Sequence, residues 1–374
     1  MKKSLNLANR WKSLNSTILR YPLTVLILLA ATITNAMSIM DILNDVDSIK
    51  ISISLAIGAF LSIVCQLIYE QFFNDKIYRY IFMAASLLIA FLYYLVIRNS
   101  IWDIETAART MVICFILTVL LIWIPSVKSR INFNQSFLAV FKCFFMAVFL
   151  NGVLFVGVAI ILAAVNLLLV EINEKAYLHA ANIIFVFLSP MSFLLYFPVF
   201  AAAESSGKKT PDDGGNLKTD AGNVSDNDEK LYRSINCGKF LETLVSYVII
   251  PVAAVFTLIL VIYILINITG SFWTDNLLES MLVAYSITVI LIYLLASNID
   301  NAWSKSFRNI FPKVLVVVVL FQTVSSLIRI SKYGVTYGRY YVIMFGIFAT
   351  IAGIIFSVMP KEKNGVIAPI LLVL

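Results

Sequence analysis

Ten stretches of this chain, each between 15 and 28 residues long, contain no Asp, Glu, Lys, Arg or His. They run over 21–40, 51–69, 80–97, 110–127, 143–170, 180–203, 244–270, 280–299, 314–328 and 340–359. A helix needs about 20 apolar residues to cross a hydrocarbon core of roughly 30 Å. Backbone groups in lipid must be paired within the structure, and no run alternates apolar and polar residues as barrel strands do. The fold class that follows is an all-α integral membrane protein, a polytopic bundle of about ten transmembrane helices. An eleventh apolar run begins at Gly365 and stops at Leu374, short of a crossing. It reads as a partial eleventh helix or as one that the chain cuts short.

Composition excludes the soluble alternatives. Of 374 residues, 61% are apolar and 13% charged, against about 45–50% and about 25% in ordinary globular domains. So little polarity does not cover the surface of a soluble enzyme, a nucleic-acid module or a disordered chain. Cys65, Cys114 and Cys143 lie inside apolar runs and Cys237 in a polar stretch, with no CxxC pair. That distribution fits neither a disulfide framework nor a zinc site, and no metal or other cofactor is implied.

The charge of +7 is a topology signal. Lys2, Lys3, Arg10, Lys12 and Arg20 precede the first run, which has no clear cleavage site, so it reads as an uncleaved helix with residues 1–20 in the cytoplasm. With that orientation 21 basic residues fall inside and 7 outside. The segment 137–170 would span roughly 50 Å as one helix, and a hairpin at Asn151-Gly152 is the alternative. A hairpin would divide the basic residues 14 to 14, so one long helix is expected. Residues 204–239 hold Gly207, Pro211, Gly214, Gly215 and Gly222 among many Asp, Asn and Ser. They bury too little surface to offset ordering, and read as a flexible cytoplasmic linker between a six-helix half (21–203) and a second half (240–374). The expected setting is a bacterial cytoplasmic membrane with the N-terminus inside.

Two segments carry a family resemblance: the proline-bearing run YVIIPVAAVFTLILVIY from Tyr247 to Tyr263, and the string Tyr333-Gly334-Val335-Thr336-Tyr337-Gly338-Arg339-Tyr340-Tyr341. The pattern YGxTxxRYY between two helices resembles a bacterial multi-pass membrane family catalogued as domain of unknown function 4153. The resemblance is clearest over 240–360 and looser over 137–200. Members continue past the point where this chain stops, which implies a truncated or shortened chain. The family has no assigned activity, so the resemblance brings no catalytic residues.

Ion-coupled pumps place ionisable groups within their helices, and none of the ten runs holds one. The intramembrane polar groups are amides and hydroxyls, among them Asn35, Gln66, Asn151, Asn166, Asn182 and Gln322. Gly152, Ala159, Ala163 and Asn166 share one face of the fifth helix, and Gly346, Ala349 and Gly353 one face of the tenth. Such faces line a path for an uncharged solute or let helices pack closely; close packing is the preferred reading. Asp103, Glu105, Glu171, Glu174 and His179 have no metal or hydrolase spacing, and read as solvated loop residues.

One feature is harder to read as ordinary surface. Gln322, Ser325, Ser326, Arg329 and Tyr333 share a face of the ninth helix, and Arg329, Lys332 and Arg339 gather in a loop free of acids. The glycine at 334 is expected to cap the helix in a left-handed turn and to bring Arg339 back toward Arg329. These cations form a candidate site for an anionic headgroup, with Arg forks as donors. Pairing with Asp41, Asp45, Asp47, Asp275 or Glu279 is the structural alternative. Transport-type handling of an uncharged or lipidic solute, without a proton relay, is the first functional reading. A non-enzymatic scaffold or envelope-assembly protein is the alternative, and a membrane enzyme a distant third. The lipid bilayer is the one partner implied, and no nucleic acid is.

Overall fold

The computed structural model describes residues 14–73, 75–100, 103–127, 129, 131–168, 170–200, 231, 234–267 and 276–373. All regular structure among them is helical. In chain order the helices are α1 Pro22–Ile39, α2 Asp45–Phe72, α3 Lys76–Arg98, α4 Ile104–Trp123 and α5 Phe133–Leu168. Then come α6 Lys175–Tyr196, α7 Lys239–Ile266, α8 Asn276–Ala296, α9 Ala302–Tyr333, α10 Tyr337–Val358 and a short α11 Ile367–Val373. Among the described residues, nine are long and apolar enough to cross a membrane, and α8 contributes a shorter apolar stretch, Ser280–Ala296. The chain is therefore a multi-pass membrane protein. The expected linker falls largely on residues 201–230, outside the described residues, as do 1–13.

Local chemistry sets the helix ends. Pro22 opens α1 at a position where its missing N–H costs nothing. Asp103 caps α4 by accepting the Thr106 N–H at 2.9 Å, and Asn301 caps α9 by accepting the Ser304 N–H at 2.9 Å. Several hydroxyls inside the spans are satisfied within their own helices: Thr32 donates to the Leu28 carbonyl, Thr118 to Cys114 and Ser286 to Leu282. Water offers no partner at that depth, so this back-bonding replaces it.

Two helices widen into π turns, at Asn182–Leu188 in α6 and at Val245–Ile249 in α7. Each wide turn ends two residues before a proline, Pro190 and Pro251 respectively. A proline ring clashes with the carbonyl four residues earlier and leaves it without a donor. The wider turn relieves both problems without ending the helix.

The chain forms two compact units. The first comprises residues 1–130 and 139–231, thus α1–α4, most of α5, and α6. The second comprises 131–138 and 232–374. In the first, Leu23, Ile27, Leu28 and Ala59 form a core that Leu55, Met83 and Phe187 complete. The close approach of α2 to α3 rests on Gly58, where an added Cβ would lie 2.9 Å from the Ala90 Cβ.

The long segment expected as one helix is one helix, 36 residues from Phe133 to Leu168. Its small-residue face does not pack as expected, since nothing lies within 4 Å of where a Cβ on Gly152 would be. Asn166 serves locally, its Oδ1 accepting the Ile172 N–H at 2.7 Å. On α10 the same pattern does pack. A Cβ at Gly346 would lie 2.6 Å from Thr323 Oγ1, and one at Gly353 2.7 Å from Val316 Cγ2, both on α9.

Candidate functional site

The polar face expected on α9 is turned inward. Gln322 is 1% exposed and Arg329 3%, with Ser325 and Ser326 buried between them. Arg329 Nη2 donates to Ser325 Oγ at 2.9 Å, one turn back on the same helix. Neither the oxygen nor the nitrogen of the Gln322 amide has a hydrogen-bond partner among the described residues. The structure divides the expected loop constellation. Arg329 belongs to the buried face, Lys332 is exposed, and Arg339 is half-buried and donates to the Gly334 carbonyl at 2.9 Å. Thr336 precedes α10 without a side-chain cap, and the rings of Tyr340 and Tyr341 meet edge to face at 5.6 Å.

Gly334 does end α9 with a positive φ of 78°, but its ψ is 173°, so the turn is not the left-handed helical cap expected from the sequence. That extended mirror region is closed to residues with a Cβ. Nothing lies within 4 Å of the site where a Cβ would be added, so the cost of substitution resides in the backbone. Gly334→Ala is expected to destabilise the second unit by about 1–3 kcal/mol, read as a lower midpoint of thermal unfolding in detergent. An unchanged midpoint would show that the turn relaxes freely.

The first unit holds a different kind of site. Between α1, α2 and α6 lies a cleft of about 500 Å³. Its polar wall is made of Asn35, Ser38, Ser48, Ser52 and Asn182, and Ile39, Ile53 and Phe185 contribute to its apolar wall. The helical period explains the grouping: Asn35 and Ser38 are i, i+3 on α1, and Ser48 and Ser52 are i, i+4 on α2. Ser52 Oγ donates to Asn35 Oδ1 and ties the two helices. Asn182 is 6% exposed and donates through Nδ2 to the Thr32 carbonyl at 2.8 Å. Its Oδ1 is buried without a hydrogen-bond partner among the described residues. An amide oxygen in that condition costs about 1–3 kcal/mol, and it sits on the first residue of the π turn.

The cleft lining contains no ionisable side chain. What its lining offers a ligand is the residues Asn35 and Asn182, serine hydroxyls able to donate or accept, and an apolar wall. Above it Lys175, at the start of α6, pairs with Asp41, which follows α1 in a positive-φ conformation. Sequence reasoning had marked Asn35 and Asn182 as intramembrane polar groups. It had not joined them, because 147 residues separate two side chains that only the packing of three helices brings to one cavity.

The acids expected to be loop residues have local roles. Asp103 caps α4, and the Thr106 backbone N–H holds its carboxyl below the ordinary value. Glu105 pairs with Arg109 one turn on. Among the described residues no three His, Cys, Asp or Glu side chains gather as metal ligands.

A family model described as a domain of unknown function, DUF4153, matches residues 23–374. No curated protein and no solved structure is similar to the chain.

Proposed function

We propose, for a chain that belongs to the DUF4153 family and crosses the membrane many times, that it handles an uncharged, hydroxyl-bearing solute or lipid through the α1/α2/α6 cleft. The buried Asn182 Oδ1 carries this reading. It is an acceptor already stripped of water and lacking a donor, on a residue that lines an open groove of about 500 Å³. A ligand with a hydroxyl or amide N–H supplies the donor, and an anion does not. The apolar wall of Ile39, Ile53 and Phe185 suits an alkyl chain, so a neutral amphiphile meets both walls. The basic count supports a cytoplasmic N-terminus in a bacterial cytoplasmic membrane. That orientation places the cleft toward the outer leaflet, since α1 runs outward from Arg20 to Asn35.

A second, separate reading keeps Lys332 and Arg339 as outer contacts for an anionic headgroup. It is supported by the exposure of Lys332. Arg329, turned inward to Ser325, takes a supporting place in it.

The test is thermal unfolding of the purified protein in detergent with and without 1-monooleoylglycerol, and with phosphatidic acid as the charged comparison. At ten times its Kd a ligand adds about 1.4 kcal/mol, which moves the midpoint by roughly 2–4 °C or more. The neutral probe is expected to produce that rise in the parent chain and not in Asn182→Leu. An equal rise in both, or none in either, would remove the cleft from consideration and favour the scaffold reading.

A further inference from the structure

Helices α1 and α2 face each other along a seam of polar side chains that begins in the cleft and ends at the basic flank of α1. Three rungs cross it. Ser52 meets Asn35 at the cleft. Thr24 and Ser62 share a hydrogen bond at 2.6 Å, both buried. Arg20 meets Glu70 in a two-pronged ion pair, Nε to Oε1 at 2.8 Å and Nη2 to Oε2 at 2.6 Å. The rungs step in opposite directions along the two helices, as an antiparallel pair requires. Between the first rung and the second the seam is apolar: Ile27 and Leu28 meet Ala59, with Leu55 and Phe187 against them. Ten residues of α2 separate those rungs, roughly 15 Å.

Interhelical hydrogen bonds in lipid contribute only about 0.6 kcal/mol on average, so packing alone does not call for a charged rung. A half-buried ion pair adds less than its Coulomb energy suggests, because both groups lose water. Yet this pair makes several further contacts. Glu70 also accepts from Gln66 Nε2 at 2.9 Å, and Arg20 Nη1 reaches the carbonyls of Phe197 and Pro198 at 3.4 Å. The guanidinium lies 4.9 Å from the centre of the Tyr21 ring, and Tyr21, Phe197 and Phe200 are buried beneath it. One side chain thus fastens the start of α1, the end of α2 and the strand of chain that leaves α6. At its other end the seam meets the cleft at the Asn35–Ser52 rung. The plug ring, Phe187, rides on the π turn that starts at Asn182, so a ligand that engages Asn182 acts on the same wide turn.

We propose that the α1/α2 seam is the route by which the solute leaves the cleft, with Ile27, Leu28 and Phe187 as its plug and the Arg20–Glu70 pair as its closed gate. This rests on the cleft reading above and adds a direction to it: from the single hydrogen bond of the Asn35–Ser52 rung to the ion pair at Arg20. For the solute to pass, Phe187 must swing out of the seam. Release at the far end then requires Arg20 to let go of Glu70 and of the two carbonyls.

The experiment measures the reaction of single introduced thiols with 2-sulfonatoethyl methanethiosulfonate on the detergent-solubilised full chain, with the parent chain's own labelling subtracted. Ser62→Cys, between gate and plug, is expected to react slowly. Adding Glu70→Gln should speed it by about tenfold, the scale on which loss of a half-buried pair shifts a local opening. Ala31→Cys, buried on α1 one turn beyond Ile27 and Leu28 on the cleft side, should stay slow throughout. A Ser62→Cys rate unchanged by Glu70→Gln would overturn the gate, and so would Ala31→Cys accelerating equally, because the pair would then only hold the helices together. If Glu70→Gln does not yield folded protein, Arg20→Gln removes the same pair and is read in the same way. Failure of the monooleoylglycerol test with the gate result intact would reject the cleft and leave a gated seam. The opposite pattern would reject the gate and leave the cleft.

Discussion

Gly353→Leu is expected to lower the stability of the second unit by about 3 kcal/mol or more, whereas Gly338→Leu on the same helix should change it by less than about 1 kcal/mol. The two glycines differ in what surrounds them. A Cβ on Gly353 would already lie 2.7 Å from Val316 Cγ2 and 3.2 Å from the Pro312 carbonyl oxygen. Val316 is β-branched and has little rotamer freedom on a helix. The carbonyl is backbone, inside α9, and moves only if the helix does. Three further carbons have no place to go without separating α9 from α10. Gly338 has nothing within 4 Å and lies in the first turn of α10, where leucine's better helix propensity offsets the change. Unfolding midpoints of the two variants in one detergent decide the matter. Equal effects would mean that α9 and α10 are not held in close contact.

That contrast shows where sequence reading reached its limit. Glycine and alanine at helical spacing looked alike on the fifth and tenth helices, and only one set meets a partner helix within its unit. Periodicity fixes which residues share a face, but not what the face meets. The spans were legible because the bilayer punishes charge so heavily that charge-free runs mark them. Their ends were less so. The run 314–328 is the middle of a helix that starts at Ala302 and carries Lys305, Arg308 and Lys313 outside the apolar stretch. Pro190 and Pro251 lie inside helices that continue past them, and their physical effect is a widened turn. The buried face of Gln322, Ser325, Ser326 and Arg329 was legible because it is local, each residue a turn from the next. The cleft and the three rungs of the seam were not, because they depend on which helices become neighbours.

Least legible of all was a knot of amides in the second unit, and Asn134→Leu is expected to cost about 2–4 kcal/mol there, on the scale of two buried polar groups left unpaired. Asn134 stands in the first turn of α5, a place where sequence alone suggests a solvated residue. It is buried, donates through Nδ2 to the Lys361 carbonyl at 2.8 Å, and accepts at Oδ1 from Asn364 Nδ2 at 3.4 Å. Its backbone carbonyl accepts from Asn298 Nδ2 at 3.0 Å. Asn364 is wholly buried, and its own Oδ1 has no hydrogen-bond partner among the described residues. Next to it a Cβ on Gly365 would lie 3.4 Å from the Phe133 Cβ, so there is little room for water to replace a lost amide. Leucine at 134 therefore removes the acceptor from the Asn364 amide and the donor from the Lys361 carbonyl together. Asn298→Ala, which removes one donor to a backbone carbonyl and leaves both buried amides paired, should cost about 1 kcal/mol. The double variant Asn134→Leu with Asn364→Leu separates the two contributions. If the penalty of the single change is the stranded Asn364 amide, removing that amide as well returns part of the loss, and the double variant unfolds at a higher temperature than Asn134→Leu alone. If the double variant is instead the less stable by the sum of both single losses, the amides act independently and the contact at 3.4 Å contributes nothing.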